Sequence, residues 1–256
     1  MPSPSLVWFR DDLRLTDHPA LRAALDREEP IVALYVLDEE SDGVRLIGGA
    51  ARWWLHGSLA SLAERLEERG STLLLRRCKA AEVVPAVADE VGAGAVFWNR
   101  RYGGVEREID AGLKEKLRGD GITVASFAAN LLYEPWTVRT QTDKPYGVYS
   151  PFARAVQKHP APRPPMPEAR KVPGFDGHVD GDDLGAWGLL PTTPDWAGGL
   201  RETWEPGEPA AKARLKEFLD EDLGDYSKYR DEFAGGATSN LSPRLRWGEL
   251  SPYQVW

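Results

Sequence analysis

Two stretches of the chain carry residue types whose spacing could do chemistry. The first, Trp8-Phe9-Arg10-Asp11-Asp12-Leu13-Arg14-Leu15-Thr16-Asp17, sets alternating cations and carboxylates directly behind a short apolar run. Such charges either line a ligand crevice or form a salt-bridge network that anchors a surface loop, and residue types alone favour the network. The second is Thr238-Ser239-Asn240-Leu241-Ser242-Pro243, preceded by Ala234, Gly235, Gly236 and Ala237. Small residues let backbone approach a ligand, hydroxyls and free N–H groups converge as donors, and Ser242-Pro243 can open a helix. Together these make an anion cradle. An ordinary capped turn has the same composition, and spacing alone favours the turn.

The familiar catalytic signatures are missing. Val91-Gly92-Ala93-Gly94 precedes a predicted strand, whereas a dinucleotide fingerprint follows one and opens a helix. The sequence has no GxxxxGK[ST] loop and no GxSxG elbow. His18, His56, His159 and His178 are scattered, and Cys78 is the one cysteine, so neither a metal site nor an intrachain disulfide is expected. The 10 tryptophans read first as core rings, with stacking sites as the alternative.

The elements that must position these residues follow from hydrophobic periodicity. Residues 6–9, 31–36, 72–75, 95–98 and 123–127 are short apolar or β-branched runs, as expected for strands covered on both faces. Helices are expected between them. Thr16 is a candidate cap, with Asp17 at the positive helix end and Pro19 in the first turn. From about residue 49 to 69, Leu55, Leu59, Leu62 and Leu66 draw one apolar stripe that Gly70 ends as the C′ residue. Helices are also expected at 81–90, weakened or delayed by Pro85, and at 105–117. This alternation predicts a five-stranded parallel, doubly wound (Rossmann-like) α/β sheet with its crevice at the carboxyl ends of the strands.

After residue 127 the pattern stops. Residues 151–194 are rich in Pro, Gly and Asp and read as a connector over the surface, partly ordered because Phe152, Phe175 and Trp187 need somewhere to pack. Helical signals return at Glu208, where Leu215, Phe218, Leu219 and Leu223 are expected on one face. The expected domains are 1–130, 131–207 as connector, and 208–256 as the start of a helical domain. The sequence stops inside the apparent helix SPYQVW, which reads as a fragment. In a fragment, Leu241, Leu245, Trp247, Leu250 and Val255 are expected to lack packing partners and 208–256 to pack loosely.

Composition narrows the class. Of 256 residues, 42% are hydrophobic and 28% charged, which excludes disorder across the whole chain, and no apolar run approaches the ~20 residues that span a bilayer. The amino terminus lacks a basic region followed by a long apolar one, so no secretory signal is read there, and a cytoplasmic protein is expected. With 32 basic against 40 acidic residues the net charge is −8, which argues against a surface coated for nonspecific nucleic-acid binding but leaves room for a local basic groove.

Taken together, WFRDDLRLTDHPAL, GGAARWWLHGSLASL, PYGVYSPF, WEPGEPAAKARLKEFL and TSNLSPRLRWGELSP resemble the photolyase/cryptochrome family in order along nearly the whole chain. Among members the chain looks most like bacterial class I deoxyribodipyrimidine photolyases. The resemblance implies an amino-terminal α/β domain that often holds an antenna chromophore, then a connector and an all-helical domain that binds FAD. It implies light-driven repair of DNA containing pyrimidine dimers, which are flipped into the pocket, by electron transfer from excited reduced FAD. A blue-light receptor of the cryptochrome type is the alternative, and a stand-alone nucleotide-binding α/β protein a third reading. A monomer is expected.

By position, Tyr226 matches a residue at the FAD site, and Thr238, Ser239, Asn240, Leu241 and Ser242 match the loop that holds the FAD phosphates. Arg230 matches an arginine that contacts DNA near the lesion, with pairing to Asp231 or another acid as the competing role. Catalytic residues are expected beyond Trp256. For an antenna of methenyltetrahydrofolate or 8-hydroxy-deazaflavin type, the site is expected near Arg10 and Glu106. Glu106 matches a folate-contacting acid, but Val105 stands where those members carry Asn and no histidine stands near Leu46. Trp53 and Trp54 are expected in the core.

Overall fold

The computed structural model describes residues 3–232 and 238–256. Strands β1 (Ser5–Phe9), β2 (Ile31–Leu37), β3 (Leu73–Arg77), β4 (Ala95–Asn99) and β5 (Thr123–Phe127) form a parallel sheet in the order β3-β2-β1-β4-β5. The three central strands are buried throughout, while the edge strands β3 and β5 are half-covered. Their alternate residues serve two cores. Val7, Phe9, Ala33, Tyr35 and Phe97 meet α1 (Pro19–Leu25) and α2 (Gly49–Glu67) on one face. Leu6, Trp8, Val32, Leu34 and Trp98 meet α3 (Ala80–Glu90) and α4 (Gly104–Gly119) on the other. This is why the strands read as continuous apolar runs rather than alternating ones.

The leucine stripe of α2 lies where its spacing put it: Leu55, Leu59, Leu62 and Leu66 are at most 2% exposed. Gly70, at φ 87°, closes the helix as expected. Its N–H donates to Glu67 O at 3.0 Å, and Ser71 N–H donates to Leu66 O at 2.9 Å, the paired bonds of a glycine C′ cap.

Two local expectations are corrected. Thr16 does not cap α1; His18 does, its Nδ1 accepting from Leu21 N–H at 3.0 Å, with Pro19 following at the first helical position. Pro85 does not delay α3, which starts at Ala80 and contains it. The carbonyl that Pro85 leaves free belongs to Ala81, which is exposed, so water can take over the bond.

The connector is pinned rather than draped. It contains α5 (Tyr149–Val156), a 3-10 turn (Gly185–Trp187) and α6 (Gly198–Thr203). Gly174 bridges Ile31, Asp182 N–H donates to Leu75 O at 2.8 Å, and Ala169, Val172, Trp187, Leu189 and Ala197 enter the first core. Phe175 packs as expected, but Phe152 stays 38% exposed.

Helix α7 (Glu208–Glu217) runs into a π-turn (Phe218–Asp222) and then α8 (Leu223–Tyr229). The wider turn shifts the helical phase. Leu215 and Phe218 are therefore buried while Leu219 and Leu223 are 48% and 49% exposed, against the single face expected. The chain continues through α9 (Ser242–Arg246) and α10 (Pro252–Val255), the latter closed by a reciprocal Ser251–Gln254 capping box. The expected lack of packing partners is corrected for three of the five named residues: Leu241, Trp247 and Leu250 are at most 4% exposed, while Leu245 and Val255 stay open at 39% each and α8 buries no residue. No helix among the described residues is long and apolar enough to cross a membrane.

Candidate functional site

The loop after β1 is not a surface network. Arg10, Asp12, Arg14 and Asp17 are all at most 5% exposed. Asp12 accepts from its neighbour Arg10 N–H and from Asn99 Nδ2 at 2.7 Å, and its Oδ2 lies 3.2 Å from His18 Nε2. Burial alone would raise the Asp12 pKa, but His18 and Arg10 outweigh it and hold the carboxyl well below its usual range. The Arg10 guanidinium donates to Asp110 at 2.8 Å and to Asn99 O, and lies 4.3 Å from the Trp8 ring centre. Burial, helped by repulsion from Arg101, lowers its pKa to about 10. Among the described residues Arg14 donates only to carbonyls, those of Asp17, Gly248 and Ala129.

This loop ties the sheet to the carboxy-terminal helices. Leu13 N–H donates to Trp247 O at 3.0 Å, and Arg14 Nη1 donates to Gly248 O at 2.9 Å. Gly248 has φ 64°, and a Cβ there would lie 2.5 Å from Asp12 Cα and overlap the carbonyl of Asp11, so glycine is required. Glu208, 1% exposed, accepts from Leu15 N–H at 2.7 Å and Thr16 N–H at 3.1 Å, and pairs with Arg65 and Lys212. Glu249, fully buried, accepts from Trp54 Nε1 at 2.8 Å, Ser58 Oγ at 2.6 Å and Gly207 N–H at 2.6 Å. Trp53 and Trp54 are core residues, each 6% exposed.

A cleft of about 110 Å³ opens at the carboxyl ends of β1 and β2, beside the switch point between β1 and β4. Trp8, Tyr35 and Trp247 give it aromatic surface, and Arg10, Arg101 and Arg246 give it guanidinium groups. Both expected antenna residues, Arg10 and Glu106, line it. Glu106, the third residue of α4, folds back over Gly103, where a Cβ would overlap its carboxylate. Leu46 is 64% exposed, and Val105 lies against Gly43.

The second stretch sits elsewhere. Ala234, Gly235, Gly236 and Ala237 lie outside the described residues. Thr238 and Ser239 are half-buried, Asn240 and Ser242 exposed, and Leu241 is 3% exposed as the cap of α9. Asn240 is left-handed at φ 54° and Leu241 right-handed at φ −87°, an alternation that can turn successive N–H groups to one side as a nest. Arg214 holds the loop from behind, donating to Thr238 O at 3.0 Å and Ser239 O at 3.1 Å while pairing with Asp222 at 2.7 Å. Tyr226 is 37% exposed and stands edge-on to Phe218 at 5.8 Å. Arg230 ends α8, with Nε 3.9 Å from Asp231 and its side chain 56% exposed.

Arg214, Glu208, Arg246 and Glu249 were not singled out in the sequence. Glu208 with Lys212 and Arg214 with Glu217 are local helical pairs, but the contacts that matter here reach across 8 to more than 190 positions, as in Arg214 with Asp222, Glu208 with Leu15 or Trp54 with Glu249, and no local spacing announces those.

The order β3-β2-β1-β4-β5, helices on both faces and a cleft at the switch point define a Rossmann-like α/β protein. A family model described as DNA photolyase matches residues 5–170, and the chain belongs to that family. It is 42% identical over 254 residues to a deoxyribodipyrimidine photo-lyase of Agrobacterium fabrum, covering 99% of this chain and 52% of the relative. It is 34% identical to cryptochrome-1 of Arabidopsis thaliana, covering 98% of this chain and 37% of the relative. The crystal structure of a bacterial class III photolyase from Agrobacterium tumefaciens superposes with a TM-score of 0.95 at 41% identity, covering 100% of this chain and 52% of that one. The motifs suggested class I; this solved neighbour is of class III. The chain spans about half the length of the photolyases it matches.

Proposed function

We propose that this chain is part of a light-driven DNA-repair enzyme that splits cyclobutane pyrimidine dimers, with 1–130 as its antenna-type domain, 131–207 as connector and 208–256 as the start of its FAD-binding domain. The observation that carries this reading is the 42% identity to a deoxyribodipyrimidine photo-lyase along 99% of the chain. Bound reduced FAD would supply the photoexcited electron for ring splitting.

The residues present fit such a group. The nest at Asn240 and Leu241, with the hydroxyls of Thr238, Ser239 and Ser242, offers donors for the cofactor's phosphates. Arg214 fixes the backbone of that loop from behind, so the donors need no reordering when an anion arrives. Tyr226 offers a half-open ring edge beside it. Arg230, whose one ion pair among the described residues is with Asp231 at 3.9 Å, could pair with a DNA phosphate. The cleft lined by Arg10 and Glu106 would take a planar antenna chromophore.

The test is a repair assay on the product of the complete gene, using duplex DNA with one cyclobutane dimer in blue light and in darkness. Light-dependent loss of the dimer is expected. A flavin-bearing protein that leaves the dimer intact would favour the second reading, a blue-light receptor, which the 34% identity to cryptochrome-1 supports. Glu106→Ala should lower the amount of any second chromophore that copurifies.

A further inference from the structure

The π-turn after α7 changes which side chains can meet. Around a straight α-helix, eight residues turn through two full circles and about 80° more, so residues 214 and 222 would face apart. A π-turn admits one extra residue to the coil, so Asp222 takes the phase of a seventh residue, about 20° from Arg214. Arg214 Nη2 accordingly donates to Asp222 Oδ2 at 2.7 Å, and its Nη1 lies 2.9 Å from Glu217 Oε2. The same guanidinium also meets the loop after α8. Its Nε donates to Ser239 O at 3.1 Å and its Nη2 to Thr238 O at 3.0 Å. A trans peptide group is planar, with its C=O and N–H on opposite sides. Two carbonyls drawn onto Arg214 therefore turn the N–H groups of Ser239 and Asn240 away from it. Neither N–H donates to a group among the described residues.

We infer that Arg214 is a positioning residue, which aims the Ser239 and Asn240 N–H groups at the cofactor's phosphates and is itself held in that pose by the π-turn through Asp222. The inference rests on reading residues 238–242 as the phosphate loop. Arg214 does not act as an attracting charge. Glu217 and Asp222 together outweigh its single positive charge, and its guanidinium stands on the carbonyl side of the loop. What it supplies is shape. A guanidinium is a rigid fork that spans two successive carbonyls and still has donors left for carboxylates, whereas a lysine ammonium is a point charge. The π-turn fits this role. Such turns are rare and recur at functional sites, and here the turn is what brings Asp222 beneath the fork.

The experiment is flavin titration of the flavin-free product of the complete gene, with FAD and riboflavin as separate probes, since riboflavin carries the ring without the phosphates. The parent should bind FAD far more tightly than riboflavin. Equal affinities would overturn the phosphate-loop reading and this inference with it. Arg214→Lys keeps the charge but loses the fork, and should weaken FAD binding by about 10- to 100-fold, the size of one lost charge-assisted hydrogen bond, with riboflavin affinity unchanged. Asp222→Asn should weaken FAD binding by about three- to tenfold, and the double variant should be no weaker than Arg214→Lys alone, because Asp222 acts through Arg214. FAD affinity of Arg214→Lys within about twofold of the parent would overturn the inference and leave the phosphate-loop reading standing, since charge without the fork would then suffice. Equal losses for FAD and riboflavin would overturn it too, by showing a role in the fold alone. Additive losses in the double variant would refute the link through the π-turn.

Discussion

Removing the Glu208 carboxylate should loosen the joint between the sheet and the carboxy-terminal helices more than any surface change. Its side chain is 1% exposed, and its two oxygens take Leu15 N–H, Thr16 N–H, Arg65 and Lys212 together. In Glu208→Ala the Arg65 guanidinium, 9% exposed, loses its most buried partner and keeps only the half-open Glu168. Breaking a buried pair from one side costs about 3–5 kcal/mol. The two orphaned amides push toward the upper end, at about 1–3 kcal/mol each if water stays out, though such neighbours do not add fully. Glu208→Gln keeps one of the two acceptor oxygens, for one amide and one cation, and loses the charge and the second acceptor, so about 1.5–3 kcal/mol is expected. Urea unfolding followed by tryptophan fluorescence separates the cases. With a slope of about 2–3 kcal/mol per M, the Ala midpoint should fall by about 1–2 M and the Gln midpoint by roughly half as much. An Ala midpoint within about 0.3 M of the parent would refute the reasoning, and equal Ala and Gln midpoints would show that the amide bonds carry nothing.

Gly248→Ala should cost at least about 2 kcal/mol, from the left-handed backbone and from overlap with rigid backbone at Asp11 and Asp12, read as faster amide exchange at 247–249. Glu249 is raised above its ordinary value of 4.5 by burial, only partly offset by Ser58, Gly207 and Trp54, so its contribution is present below pH 4.5 and lost as pH rises through the raised value. Glu249→Gln should therefore remove a fall in stability as pH rises above 4.5; an unchanged pH profile would count against it. For Glu168, burial raises the pKa but Lys212 and Arg65 bring it down to about 2, so its contribution is present above pH 4.5 and lost as pH falls toward 2; Glu168→Gln should flatten acid unfolding in that window. In the complete protein, Arg230→Ala should weaken binding to dimer-containing DNA and lower the salt slope by about one, checked by filter binding at several salt concentrations.

The sheet was legible because strands covered on both faces, such as 31–37, carry an unbroken apolar run whatever their neighbours do. Helix α2 was legible down to its glycine cap, since both the stripe and the cap are local patterns. The phase slip at Phe218 was not, because a π-turn changes which face Leu219 and Leu223 present without changing their spacing. The charges at 10–17 were misjudged for a related reason. Their burial depends on Asn99, Asp110, Arg163 and Gly248, none within 80 residues. The position of the cleft was foreseen from the switch-point rule, but not its wall at Arg246 and Trp247, because residue types near 246 carry no mark of the sheet edge they reach.

The fit of Gly248 against the backbone of Asp11 and Asp12 also bears on inheritance. Photolyases are readily drawn as an α/β module followed by a helical one, which invites recombination at the connector. Here the helical side must bring a glycine at 248, while the α/β side must bring the backbone turn at Asp11 and Asp12 that it fits and an acceptor-hungry Arg14. A chimera joined at the connector would inherit the two halves of this joint from different parents. Crossovers that survive selection should keep residues 10–14 and 246–249 from one parent, so these distant blocks should co-vary across lineages as though they were one short motif.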